Sequence, residues 1–213
     1  MFGLNGTFDE SELAIKPTPE MDSIGPTEIT METFVENGSP VLGNPNAPIT
    51  LVEFGDYQCH YCHVFFESIE GKIMKNYIET GKVKMIFKDY NIIGKDSVKA
   101  SQGAHCANDQ GLFWEYHDIL YSNWTGENNG WASGANLANY AQDIGLEMNQ
   151  WTDCMSQQKH SKTILDSNED AKKLQLTGTP AFFVISSDGQ VSKLFGAQPF
   201  EVFERVFDEK LEN

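Results

Sequence analysis

Apolar positions follow two different periods along this chain. Ile49-Thr50-Leu51-Val52-Glu53-Phe54 is a β-branched apolar run that stops at Gly55 and contains one acid, the pattern of a buried strand. Beyond Tyr61 the period lengthens. Phe66, Ile69, Ile73 and Tyr77 recur at helical spacing, and Gly81 follows the helix end near Thr80. Val83-Lys84-Met85-Ile86-Phe87 then reads as a second strand, which makes the stretch a βαβ unit with a parallel strand pair.

Residues 96–173 carry no strand pattern. Helical periodicity appears at 97–108, 112–121, 134–143, 147–157 and 160–174, with breaks such as Gly126-Glu127-Asn128-Asn129-Gly130. The short period returns at Ala181-Phe182-Phe183-Val184-Ile185. Ser187-Asp188-Gly189-Gln190 is a hairpin turn signal, and Val191 to Phe195 is the returning strand. Phe200, Phe203, Phe207 and Leu211 mark the apolar stripe of a closing helix. The predicted architecture is α/β: a four-stranded sheet with helices on both faces, interrupted by an all-helical insertion. The expected division is a sheet domain from 41–95 and 174–213, with the insertion at 96–173.

Charge separates off the beginning of the chain. Residues 1–48 hold eight acids against Lys16 alone, and six of the eight prolines. Such a segment buries little, so residues 1–40 are expected to form an acidic, proline-containing tail or linker. The whole chain of 213 residues carries a formal charge of −16, a field that repels phosphate backbones and anionic membranes; no nucleic-acid partner is expected. No apolar run approaches the roughly 20 residues of a membrane-spanning helix. The opening Met1-Phe2-Gly3-Leu4-Asn5-Gly6 has neither the basic region nor the apolar core of a signal peptide.

The sharpest chemical feature is Cys59-His60-Tyr61-Cys62, which follows the first strand and opens the long helix. Two cysteines three apart on a first helical turn lie on one side, within disulfide reach. The unpaired N–H groups and positive dipole end there stabilise a thiolate. Cys59 at the edge is therefore the attacking and attacked sulfur, and Cys62, one turn in, is the resolving one. Glu53, six residues before Cys59 in an apolar run, reads either as a buried acid that exchanges a proton with Cys62 or as a strand end open to water. Thr179-Pro180 precedes the third strand; proline suits a strand start in trans, whereas a cis bond would present the backbone of Thr179 to a substrate strand.

Three separated segments, Phe54-Gly55-Asp56-Tyr57-Gln58-Cys59-His60-Tyr61-Cys62, Gln110-Gly111-Leu112-Phe113-Trp114-Glu115-Tyr116-His117-Asp118 and Gly178-Thr179-Pro180-Ala181-Phe182-Phe183, resemble the DsbA-like thiol:disulfide oxidoreductases in order and register. The resemblance covers roughly residues 41–211. It implies a thioredoxin fold with a helical insertion, Cys59 as nucleophile, Cys62 as resolving cysteine, Glu53 as buried acid and Pro180 as cis-proline beside a substrate-binding Thr179. It also implies a redox-active disulfide with no organic cofactor. The implied partners are reduced or misfolded proteins with cysteine pairs and a membrane-bound redox partner. The implied location is extracytoplasmic, periplasm-like or at the cell surface, with any anchor outside this sequence. The dipeptide His60-Tyr61 departs from the family, many of whose members carry Pro after the first cysteine and His before the second. This bears on the redox potential; the favoured direction is oxidase, introducing disulfides into exported proteins, with a reductase or isomerase on the same fold as the alternative.

Cys106 and Cys154, the two remaining cysteines, lie in the helical insertion. Two buried free thiols are one reading. The preferred reading is a structural disulfide, which closes about 48 residues, stabilises by up to roughly 4 kcal/mol and suits an oxidising compartment. Three rival functions stand beside the enzyme. Cys59-His60-Tyr61-Cys62-His63 is also C-x-x-C-H, the attachment pattern of a c-type haem electron carrier. Cys59, His60, Cys62 and His63, with His105 and Cys106, form a candidate zinc set, although no metal is the preferred reading. A non-catalytic peptide-binding module on the same fold is the third. His63, His105, His117 and His160 read as surface or packing residues, and Phe113, Trp114, Tyr116, Tyr121 and Trp124 as core aromatics.

Overall fold

A computed structural model describes residues 29–212 of the chain. Residues 1–28, most of the expected tail, lie outside the described residues. The strands are β1 (Ile49–Gly55), β2 (Val83–Asp89), β3 (Ala181–Ser186) and β4 (Val191–Phe195). They form one mixed sheet in the order β2-β1-β3-β4, with β1 parallel to β2 and antiparallel to β3, and β3 antiparallel to β4. The helices are α1 (Met31–Val35), α2 (residues 60–78), α3 (Lys95–Asn108), α4 (Phe113–Ser122), α5 (Gly134–Asp143), α6 (Met148–Ser156), α7 (Ser161–Lys173) and α8 (Phe200–Leu211). This is the thioredoxin fold, with α3 to α7 entering between β2 and β3.

Both faces of the sheet are covered, which is why β1 and β3 read as continuous apolar runs rather than alternating ones. Ile49, Leu51, Phe182 and Val184 pack on one face against Phe65 of α2 and Phe203 of α8. Val52, Phe54, Phe183 and Ile185 pack on the other, against Phe34 of α1 and Ala171 of α7. Side chains alternate along a strand, so Glu53 shares the face of Ile49 and Leu51 and points toward α2.

Helix α2 is not uniformly α. It runs as α-helix over His60–Phe65, then through π turns at Phe66–Glu70 and Met74–Ile78 on either side of Gly71–Ile73. A regular α-helix rotates each step of a four-residue repeat about 40° too far. The wider turns correct this drift, so that Phe65, Ile69, Ile73 and Tyr77 are all buried. Phe66, counted with the sheet-facing stripe from sequence, instead leans onto Tyr121 of α4, ring centroids 5.3 Å apart.

Two boundaries differ from expectation. Residues 31–40 are not tail. Phe34 is only 8% exposed and meets the Phe183 ring at 4.9 Å. Ser39 N–H donates to Phe87 O at 2.8 Å, and Leu42 and Met85 exchange backbone hydrogen bonds, so this segment covers the outer edge of β2. Buried Lys88 ties it down by donating to Thr33 O, Glu36 O and the Asp170 carboxylate of α7. At the other end, α7 is continuous in sequence with the helical block, yet its Ala171, with Leu174 just beyond, packs into the sheet. The core of the block itself gathers Ala104, Tyr116, Leu120, Leu137 and Trp151. No helix among the described residues is long and apolar enough to cross a membrane.

Candidate active site

The turn between β1 and α2 is held by one buried carboxylate. Asp56 accepts from Gln58 N–H with one oxygen at 2.8 Å, and from Ile92 and Ile93 N–H with the other at 2.8 and 2.9 Å. Its backbone oxygen accepts from Cys59 N–H at 2.9 Å. The Gln58 side chain donates to Ser97 and accepts from Asn128 N–H, and Trp124 Nε1–H donates to Gln58 O at 2.9 Å. The loop after α4 thus clamps the residue before Cys59.

Cys59 is the N-cap residue of α2, with extended backbone (φ −68°, ψ 127°), and Cys62 sits one turn in. Cys59 is 5% exposed and Cys62 fully enclosed. Both are free thiols. Across from them, Thr179–Pro180 is a cis peptide bond, and the Cys59 thiol donates to Thr179 O at 3.3 Å. His60 and Tyr61 face outward, Tyr61 being 60% exposed. His60 N–H, one of the free donors at the helix start, donates to the Glu127 carboxylate at 3.1 Å. The structure therefore brings Cys59, Cys62, Thr179 and Pro180 together.

The two sulfurs sit in opposed environments. The hydrogen bond from the Cys62 thiol, helped by the N–H groups of Cys62 and Tyr61, outweighs burial and holds Cys59 down to about 6. Burial pushes Cys62 well above the ordinary thiol range, and its hydrogen bond to Cys59 and the charge of Glu53 push it further. Glu53 is 1% exposed, so the reading of a strand end open to water is corrected. Burial raises its carboxyl well above the usual range; the Glu70 and Cys59 charges add to the rise. Neither Glu53 oxygen has a hydrogen-bond partner. A group of this kind holds a proton near neutrality and can release it to a neighbour.

Cys106 and Cys154 lie apart from this cluster, joined as a disulfide between α3 and α6 with Cα atoms 5.8 Å apart. That bond removes Cys106 from the zinc set, and His105 is engaged at 2.7 Å with Asp89. The haem pattern also fails on geometry. Cys62 is walled in behind Cys59, and His63 lies flat on Trp124, rings 4.4 Å apart and 17° from parallel. Sequence reasoning missed the roles of Asp56, Gln58 and Glu127, which come from contacts many residues away, and read Trp124 as a core aromatic although it also binds Gln58. It also took His117 for packing, whereas its Nδ1 meets the Tyr57 hydroxyl at 3.2 Å and its Nε2 lies 3.9 Å from Glu70.

The thioredoxin family model matches residues 36–193. Among curated relatives, the probable disulfide bond formation protein D of Bacillus anthracis is 27% identical over 157 residues, 72% of each chain. Disulfide bond formation protein D of Bacillus subtilis is 29% identical over 150 residues, 69% of this chain and 68% of that protein. The crystal structure of oxidised BdbD from Bacillus subtilis superposes with a TM-score of 0.73 at 25% identity, covering 82% of this chain and 94% of that one.

Proposed function

The chain belongs to the thioredoxin family, and from that premise we propose that this thiol:disulfide oxidoreductase works as an oxidase, inserting disulfides into exported proteins through Cys59 and Cys62. The observation that carries the direction is the asymmetry of the pair: a Cys59 sulfur held down to about 6 beside an enclosed Cys62 pushed up. A thiolate stabilised in the dithiol form makes that form the favoured product and makes Cys59 a good leaving group.

The reaction begins with the Cys59–Cys62 disulfide. A substrate thiolate attacks Cys59; the new bond is a mixed disulfide, and the electron pair of the broken bond leaves on Cys62. Cys62 takes a proton from Glu53, whose raised affinity keeps one available. A second substrate thiolate then attacks the substrate sulfur of the mixed disulfide. Substrate departs oxidised, and Cys59 leaves as a thiolate at the start of α2. Two electrons have passed to the enzyme, and a membrane-bound oxidant removes them. The redox-active disulfide carries the chemistry without an organic cofactor. The backbone at Thr179, beside Pro180, aligns an extended substrate segment over Cys59. His60 and Tyr61 adjust the thiolate and border the docking surface. An extracytoplasmic setting supplies both the substrates and the conditions that keep Cys106–Cys154 closed.

The test is reoxidation of a reduced model protein. Cys59→Ser is expected to reduce catalysis to background, and Cys62→Ser to accumulate mixed disulfides on Cys59. Wild-type oxidation by Cys59→Ser would refute the assignment.

A further inference from the structure

Buried polar atoms without partners are rare in folded proteins, and each calls for a reason. Four of them belong to three residues on neighbouring elements: both oxygens of Glu53 on β1, Oε2 of Glu70 on α2 and Nε2 of His117 on α4. We propose that Glu70 and His117, with Asp118 at the surface, form the proton port through which Glu53 is recharged from solvent. This rests on the reading above, in which Glu53 gives Cys62 its proton.

The need for a port follows from burial. Cys62 is fully enclosed and Glu53 is 1% exposed, yet each turnover moves a proton between them. That proton must cross protein on its way from water. Glu70 lies near enough to Glu53 for its charge to be felt there, and the Phe87 ring, opposite Glu53 on β2 and 5.0 Å from both Tyr57 and His117, walls the passage. Tyr57 OH meets His117 Nδ1 at 3.2 Å, which fixes the ring and leaves Nε2 pointing at Glu70 Oε2, 3.9 Å away. That separation suits an ion pair but is too long for a hydrogen bond, so a proton passes between the two when the side chains close by about 1 Å. Glu70, His117 and Asp118 each bring a nitrogen or carboxylate oxygen within 4.8 Å of the others, and Asp118 is exposed. The titratable groups facing this passage are Glu53 from β1, Tyr57 after it, Asp89 from β2, Glu70 from α2, and Glu115, Asp118 and Tyr121 from α4.

The balance is simple. When the disulfide opens, Glu53–COOH and the Cys62 thiolate become Glu53–COO⁻ and Cys62–SH. One proton then enters from solvent by way of Asp118, His117 and Glu70 and restores Glu53–COOH. When the partner reoxidises the pair, the same path runs outward. Glu70 and His117 touch neither substrate nor sulfur, so they are positioning and relay residues.

The experiment is single-turnover reduction of the oxidised full chain by a dithiol, followed across pH in H₂O and D₂O. Glu53→Gln is expected to slow the step about 10²-fold. Glu70→Gln and His117→Gln are each expected to slow it about tenfold near neutrality and to enlarge the solvent isotope effect. Asp118→Asn, a surface change that leaves the core intact, is expected to slow it roughly two- to threefold. In the Glu53→Gln background the other substitutions should add nothing, because a port without its terminus carries no traffic. Slowing that adds in that background would show a structural role and overturn the port. So would a full rate in Asp118→Asn and the buried variants while Glu53→Gln is slow. An unchanged rate in Glu53→Gln itself would instead remove the proton role of Glu53. Effects that vanish on adding a chelator would assign the cluster to a bound divalent ion and also overturn the proposal.

Discussion

The chain holds two cysteine pairs, and they occupy opposite ends of helices. Cys59 and Cys62 cap and open α2, where unpaired N–H groups and the positive dipole end favour a thiolate. Cys106 lies near the end of α3 and Cys154 near the end of α6, where the dipole is negative and a thiolate is disfavoured. Asp109 and Asp153 stand in the same cavity as that second pair. The first pair is three residues apart and is found as thiols; the second is 48 apart and is found bonded. Side chains of one chemical kind thus differ because of their surroundings: the Cys62 hydrogen bond, helped by N–H groups at a helix start, holds Cys59 down, whereas Cys106 and Cys154 sit at helix ends and are tied to each other. A low-affinity thiolate makes an exchangeable bond, and a long closed loop makes a stabilising one.

The largest expected effect separates the two pairs by what each loses. Replacing Cys106 and Cys154 together with Ser should lower stability by up to about 4 kcal/mol in denaturant titration, with the turnover of the folded fraction unchanged. A loss of turnover at full stability would show that the second pair takes part in exchange, and the contrast would collapse. Next comes Glu53→Gln, expected to slow Cys62 protonation roughly 10²-fold while leaving the Cys106–Cys154 bond and the fold in place; stopped-flow reduction with parallel melting curves checks both halves. The smallest effect concerns Glu127, whose carboxylate occupies a donor at the start of α2. Glu127→Gln keeps an acceptor there and removes its charge. The pH midpoint of Cys59 alkylation should fall by roughly 0.2–0.5 pH unit, and Cys106 and Cys154 should remain unreactive.

The elements themselves were legible because local rules agreed: an uninterrupted apolar strand, a capped helix, a turn signal, a closing amphipathic stripe. Even the side on which Glu53 faces follows from strand alternation with Ile49 and Leu51. What sequence could not supply depends on long-range contact. Residues 31–40 look like linker by composition, but one phenylalanine and a few hydrogen bonds to the free edge of β2 hold them. Helix α7 has the periodicity of its neighbours, and only its packing shows that it serves the sheet. The stripe read from sequence, Phe66, Ile69, Ile73 and Tyr77, took the helix as regular and so missed both Phe65 and the π turns that bring it onto the buried face. Trp124 and Glu127 reach Gln58 and His60 across more than 60 positions. Glu70 and His117 carry no local signal; their spacing is that of ordinary helix surface.

Ionisation of Cys59 is the premise on which direction, leaving-group quality and the contrast between pairs all depend. It has a definite sign. A thiol lowered in the fold stabilises the reduced protein above the ordinary thiol value, and that stabilisation is lost as pH falls through about 6. Ultraviolet thiolate absorbance of the reduced protein, titrated with pH against Cys59→Ser, reads this directly. The account predicts a midpoint near 6 that disappears in Cys59→Ser. A midpoint near the free-cysteine value of about 8.5, or one that survives in Cys59→Ser, would contradict it.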